Sequence, residues 1–241
     1  MAKVLNFNIF ENETSQIDIY SNKLINTINP HSYCVAKIDK DFEKVLQNSD
    51  ILLPDGVGIV WATKVLSGKK ITKIAGYDLF IHTMNQLNAN NDSCFFLGAS
   101  SKTLELIEKR VKKDFPNVRV NTFSPPYKSE FSQEENEEMI LKVNEANPTA
   151  LFVGMTAPKQ EKWAFKNKER LNVNCICSIG AVFDFYAGTV KRPNSFWIKL
   201  GLEWLPRFLK EPKRLATRNL VSSPKFVLEV FSFKFFKKGI L

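Results

Sequence analysis

Short apolar runs alternate with helical patterns through most of this chain, and few architectures accommodate that rhythm. CFFLGAS (94–100) reads as a buried strand ending in a small-residue turn, and the SKTLELIEKRVKKDFP after it carries Leu104, Ile107 and Val111 at helical spacing before Pro116. VRVNTF (118–123) is strand-like and SPPYKS is a loop. In SQEENEEMILKVNEANP, Ser132 is a candidate N-cap with Glu135 three residues on, and Pro148 closes the helix. ALFVGM (150–155) is a strand, KQEKWAFKNKERL a helix, and CICSIGAVFDF a further buried strand. Strands alternating with helices predict a mostly parallel α/β sheet covered on both faces, with ligands bound beyond the strands' carboxyl ends.

The rhythm stops near residue 190. The remainder, RPNSFWIKLGLEWLPRFLKEPKRLATRNLVSSPKFVLEVFSFKFFKKGIL, reads as helical stretches broken at Pro206, Pro212 and Pro224. A catalytic unit over 1–190 and an appendage over 191–241 are therefore expected. Charge marks the same boundary: residues 1–184 hold 22 Lys+Arg and 22 Asp+Glu, whereas residues 185–241 hold 12 and 3, so the net +9 lies in the last quarter. A basic, aromatic-rich end suits an anionic partner, which leaves a membrane surface, a nucleic acid or a phosphorylated ligand. No uncharged apolar run reaches the ~18 residues of a membrane span, and MAKVLNFNIFENET lacks a signal peptide's apolar core, so a cytoplasmic protein is expected. The four cysteines show no CxxC spacing and the histidines are His31 and His82 alone, which predicts reduced buried thiols and no structural zinc.

Several strand exits end in small or polar residues: Asp55-Gly56-Val57-Gly58, Gly98-Ala99-Ser100, Gly154 to Pro158 and Gly180 to Asp184. Glycine lets backbone amides approach a phosphate or sugar closely, so four such exits predict a nucleotide-sized cleft. The third glycine of GxGxxG is missing, and there is no GxxxxGK[ST]. Asp39-Lys40-Asp41 could bridge a metal in a sugar-nucleotide enzyme, yet its surroundings look helical and a solvated surface pair is the better reading. With no metal expected, a diphosphate leaving group needs Arg, Lys or backbone donors, which the basic appendage could bring. Asp55 stands out because a carboxylate closing the apolar run ILLP is costly unless paired or carried to the rim of a cleft.

Taken in order, LLPDGVGIVWA, KIAGYDLF, FFLGAS, FVGMTAPKQEKWAF and SIGAVFDFYAGTVKRPNSFWIKLGLEWLPRFLKEPKRLATR resemble the bacterial glycosyltransferases typified by teichoic-acid N-acetylmannosaminyltransferase and enterobacterial N-acetylmannosaminuronic acid transferase. The resemblance runs from about residue 20 to 220. It implies a Rossmann-like fold, inverting transfer from a UDP-sugar to a polyprenyl-diphosphate-linked sugar without a metal, and a C-terminal appendage that completes the active site and meets the cytoplasmic membrane face. It further implies Asp55 as the general base, Thr27, Asn29 and Gly56 near the substrate pocket, and Gln160 with Glu161 beside it. Arg207, Arg214 and Arg218 match appendage arginines near the diphosphate. Asp184 fits a turn or capping role at least as well as a substrate contact. Lys73 replaces the arginine common in the family's block before AGxDL, and lysine lacks arginine's planar fork. The transferred sugar is left open, a hexose or an N-acetylhexosamine such as N-acetylmannosamine.

If one helix spanned Arg207, Arg214 and Arg218, they would share a face, although Pro212 could bend it. The tail PKFVLEVFSFKFFKKGIL suits a membrane interface through Phe226, Val227, Val230 and Phe233 beside Lys234, Lys237 and Lys238, or a packed terminal helix. Nucleic-acid binding is disfavoured, because the aromatics sit among aliphatics rather than in an RNP-like or zinc-finger pattern. An epimerase or hydrolase of sugar nucleotides is the nearer rival, and self-association is left open.

Overall fold

The structure, a computed structural model, describes residues 2–191, 193, 197, 204–210 and 212–236. A short antiparallel hairpin, β1 (Ala2–Val4) and β2 (Phe7–Ile9), precedes six strands: β3 (Lys23–Ile28), β4 (Ile51–Pro54), β5 (Ser93–Gly98), β6 (Arg119–Phe123), β7 (Ala150–Gly154) and β8 (Cys175–Ser178). The six form one sheet in the order β4-β3-β8-β7-β5-β6, parallel at every pairing. All six carboxyl ends therefore lie along one edge, and this is the α/β, Rossmann-like architecture that the alternation predicts.

Side chains alternate cleanly between the faces. Ile25, Phe96, Phe152, Cys175 and Cys177 join one buried cluster with α4 (Gly76–Asn90), α5 (Ser101–Asp114) and α8 (Gly180–Ala187). Leu24, Phe95, Leu97, Leu151, Val153 and Ile176 face the other way, under α6 (Gln133–Ala146) and α7 (Lys159–Asn167). Over the β3–β4 end, Ile28 and Leu52 pack with α1 (Pro30–Ile38), α2 (Lys40–Gln47), α3 (Val57–Ser67) and the N-terminal hairpin. Being buried on both faces, β4, β5, β7 and β8 are apolar nearly throughout, whereas the edge strand β6 is partly exposed and mixed in sequence.

Local signals hold where capping chemistry is explicit. Ser132 and Glu135 form the reciprocal capping box of α6, with Ser132 N–H donating to Glu135 Oε2 at 2.7 Å. Asp39 caps α2 by accepting from Phe42 N–H and pairs with Lys162 at 2.6 Å, so Asp39-Lys40-Asp41 is a helix start at the surface. The single strand expected over CICSIGAVFDF is corrected: β8 ends at Ser178 and residues 180–187 form α8. Val182, Phe183 and Tyr186 are buried at helical spacing, and a helix that is apolar nearly all round cannot be told from a buried strand by hydropathy. The four cysteines are free thiols.

Beyond residue 203 the chain forms α9 (Trp204–Lys210), α10 (Pro212–Ala216), a π-helical stretch Thr217–Ser222 and α11 (Ser223–Phe236). Pro206 lies within α9, and Pro224 lies in a helical run that continues directly from the π-helical stretch, where Ser223 N–H bonds back to Arg218 O, so neither proline interrupts the helix that holds it. Phe226 and Val230, expected at a membrane interface, are instead fully buried in the cluster of the hairpin, α1 and α3. Phe226 meets Tyr33 edge-on at 5.1 Å, and Phe231 meets Trp61 at 5.5 Å. Glu229, 2% exposed, accepts from the Tyr33 hydroxyl at 3.3 Å and lies 3.8 Å from Lys37 Nζ. Truncating a buried phenylalanine typically costs about 3–5 kcal/mol. Phe226→Ala is accordingly expected to destabilise the whole protein by that order in urea unfolding, whereas Phe235→Ala, at a side chain 70% exposed, shifts the midpoint little.

Candidate active site

Two groups of residues converge on the carboxyl edge of the sheet. The first belongs to β3 and β4. Thr27 lies in β3 opposite Leu53, and Asn29 follows as the N-cap of α1, its Oδ1 accepting from His31 N–H and Ser32 N–H at 3.0 Å each. That capping uses the Asn29 oxygen and leaves its Nδ2 for another partner. Asp55 follows β4, and its N–H donates to Ile28 O at 2.9 Å, so the backbone that carries the carboxylate is pinned to the end of β3. Gly56, at φ +92°, turns the chain into α3, a conformation an L side chain would strain. Gly58 has a different use: a Cβ there would meet Pro30 Cγ at 2.6 Å, so this glycine seats α3 against α1. Lys73 reaches the same place from the loop before α4, because Ile74 N–H donates to Pro54 O at 3.1 Å.

The second group belongs to β7 and β8. Gln160 and Glu161 occupy the first turn of α7 and are buried, at 6% and 3% exposure. Gln160 Nε2 donates to Glu161 Oε1 at 2.8 Å, while Gln160 Oε1 accepts from Gly180 N–H, the start of α8, at 3.1 Å. A Cβ at Gly180 would stand 2.5 Å from Gln160 Oε1 and 2.3 Å from Met155 O, so only glycine admits this contact. Burial pushes the Glu161 carboxyl up to about 7, against smaller opposing pulls from Gln160 and its own backbone N–H. Gly76, at the start of α4, abuts Ile179 and Val182, which ties the Lys73 loop to the β8–α8 turn. Because β8 pairs with β3, the two groups are neighbours.

The appendage joins through α1. His31 Nδ1 lies 2.9 Å from Ser222 Oγ, and Cys34 Sγ donates to Ser222 O at 3.4 Å. Burial lowers the pKa of His31, and the charge of Arg218, carried on the π-helical stretch that packs against α1, lowers it further. Arg207 lies in α9, Arg214 in α10 and Arg218 in the π-helical stretch that continues α10; the side chains of Arg207 and Arg214 lie outside the described residues. Asp184 closes the end of α8, its carboxylate and carbonyl both accepting from the Thr189 hydroxyl. Among the described residues no cluster of three His, Cys, Asp or Glu could hold a metal ion. His31, Ser222 and Glu229 were not anticipated. Glu229 had a sequence signal, since a lone acid between Phe226 and Val230 falls on the buried side of that helix.

A model of the glycosyl transferase WecG/TagA/CpsF family matches residues 6–239. The chain is 32% identical over 218 residues to an N-acetylglucosaminyldiphosphoundecaprenol N-acetyl-beta-D-mannosaminyltransferase of Bacillus spizizenii, covering 90% of this chain and 82% of that protein. It is 29% identical, over the same shares, to the protein of that name in Bacillus subtilis, and 25% identical to that of Staphylococcus aureus over 87% of this chain and 80% of the relative.

The Glu161 shift also has a stability consequence. The folded protein holds the Glu161 proton up to a pH of about 7, against 4.5 for the carboxyl of the unfolded chain, so its penalty is absent below pH 4.5 and grows as pH rises to 7. Across that window Glu161→Gln should gain stability relative to the parent by on the order of 3 kcal/mol. Urea unfolding of both proteins from pH 4.5 to 8 measures it, and parallel curves refute it.

Proposed function

The chain belongs to the WecG/TagA/CpsF family of glycosyl transferases, and from that premise we propose that it moves an N-acetylhexosaminyl group, of the N-acetylmannosamine type, from a UDP-sugar to a polyprenyl-diphosphate-linked sugar with inversion. The observation that carries this reading is the position of Asp55, a carboxylate whose backbone is pinned to β3 beside Asn29 at the carboxyl edge. The relatives, named as mannosaminyltransferases acting on a diphosphoundecaprenol-linked sugar, support the acceptor class.

In such a transfer the acceptor hydroxyl oxygen bonds to the anomeric carbon as the carbon–oxygen bond to UDP breaks. The hydroxyl proton passes to Asp55, and the developing negative charge goes to the diphosphate. Cations belong on the leaving-group side, where Arg218, held next to α1, is suited to act with Arg207 and Arg214. Thr27, Asn29, Lys73 and Gln160 then serve as contacts for donor and acceptor. No resident metal or cofactor enters this scheme. Asp55→Asn should keep the fold and UDP binding while turnover falls by about 100- to 10,000-fold, the usual weight of a general base. Mass spectrometry of products from a panel of UDP-sugars with a synthetic lipid-diphosphate acceptor checks both donor and base. UDP release that persists without acceptor points to a hydrolase instead.

The reading includes peripheral attachment to an anionic membrane surface. No helix among the described residues is long and apolar enough to cross a membrane. The outer side of α11 and the preceding turn expose Leu220, Leu228, Phe235 and Phe236 at 62%, 60%, 70% and 78%, beside Lys225 and Lys234. Apolar side chains rimmed by lysines suit the headgroup region, with roughly 1 kcal/mol per cation from anionic lipid. Replacing Leu228, Phe235 and Phe236 by serine should release the protein from phosphatidylglycerol-rich liposomes in co-sedimentation without altering its melting temperature. Unchanged sedimentation overturns the attachment.

A further inference from the structure

Gln160 is held at both ends of its amide. The Gly180 N–H requires an acceptor and receives Oε1, while Glu161 Oε1, an acceptor whether the carboxyl is ionised or carries its proton on Oε2, receives Nε2, so chemistry at both ends favours one orientation over its flip. One amide proton and one lone pair of Gln160 remain for a ligand. Glu161 meanwhile is a costly residue for a merely structural purpose. It is 3% exposed, and its Oε2 has no hydrogen-bond partner among the described residues. The cation nearest in sequence, Lys162, is engaged with Asp39 on the facing helix α2. An apolar side chain would fill that space more cheaply, so the carboxylate's contribution is the hydrogen bond it accepts from Gln160.

We propose that Glu161 is a positioning residue, which fixes the orientation of the Gln160 amide so that Gln160 can read a hydroxyl or acetamido group of the donor sugar. Glu161 does not touch the substrate itself. The proposal rests on the reading of Gln160 as a donor-sugar contact and extends it to the residue that sets specificity from behind. Gly180 is the third member of the device, since any side chain there would displace the Gln160 carbonyl.

The test is a mutant cycle with UDP-N-acetylmannosamine, a synthetic lipid-diphosphate-N-acetylglucosamine acceptor, and free UDP as a binding probe. Glu161→Ala should lower kcat/KM for the donor by about tenfold or more while leaving UDP affinity unchanged. Glu161→Gln, whose own Oε1 can accept from Gln160, should recover most of that loss. The double variant Gln160→Ala/Glu161→Ala should be no slower than Gln160→Ala, because a residue acting through Gln160 has nothing left to position. Glu161→Met, which fills the buried volume, replaces the alanine variant should the latter fail to fold. Multiplicative losses in the double variant, or a Glu161→Gln protein as slow as folded Glu161→Ala, overturn the proposal.

Nitrogen-15 NMR of the Gln160 side-chain amide, assigned by its loss in Gln160→Ala, separates the two layers of the argument. Its pair of resonances should be slow to exchange with solvent in the parent and fast in Glu161→Ala. If Gln160→Ala transfers sugar as well as the parent, the donor-site reading fails. Unaltered amide resonances in Glu161→Ala overturn the positioning itself.

Discussion

The pairing of β3 with β8 is the constraint on which the rest of the structure depends. β3 and β4 form early in the chain and β5, β6 and β7 form a second group; only the late strand β8, through Lys23–Cys175, Leu24–Ile176 and Ile25–Cys177, joins them into one sheet. The same register brings the β8–α8 turn level with the ends of β3 and β4. Asp55 and Gln160, from opposite halves of the sequence, come to the same edge of the sheet, two strands apart, by this one alignment. A slip of one residue would turn Cys175 and Cys177 away from their cluster and move Gly180 off the Gln160 amide. Folding and site assembly are thus the same event, and it waits for contacts between residues about 150 apart in sequence.

How much of this was legible in the sequence follows from the range of each interaction. The boundaries of α5 and α6 were readable because their caps are local: Ser132 and Glu135 are three residues apart, and Pro116 and Pro148 stand just past the ends. Asp55 was readable for a similar reason, since an acid directly after ILLP must emerge at a strand's end. The α8 helix was not, because a helix that is apolar nearly all round and a buried strand carry the same hydropathy. The grip on Gln160 was equally hidden: its partner Gly180 lies twenty residues away, and only the adjacency of β7 and β8 explains why that glycine is needed. Gly58 shows the converse error, a glycine next to the proposed base whose requirement is the packing of α3 on Pro30 rather than access for a sugar.

The C-terminal segment bears on the proposed site through where it is anchored. A tail lying loosely on a membrane could carry arginines near a diphosphate only by chance encounter. Here α11 is seated by Phe226 and Val230 in the cluster of α1 and α3, the two helices that spring from the strand ends bearing Asn29 and Asp55. The buried Tyr33–Glu229 bond and the His31–Ser222 contact fix its register along α1, so the stretch that carries Arg218 is held against that helix. The opposite side of α11 presents Leu228, Phe235 and Phe236 to the surroundings. One helix therefore has two committed faces, and α1 is the rigid element between the exposed apolar surface and the proposed base. An enzyme whose acceptor is tethered to a lipid needs a fixed distance between the plane that holds the lipid and the atom that takes the proton. On the proposed reading, the packing of α11 on α1 and α3 would serve as that spacer.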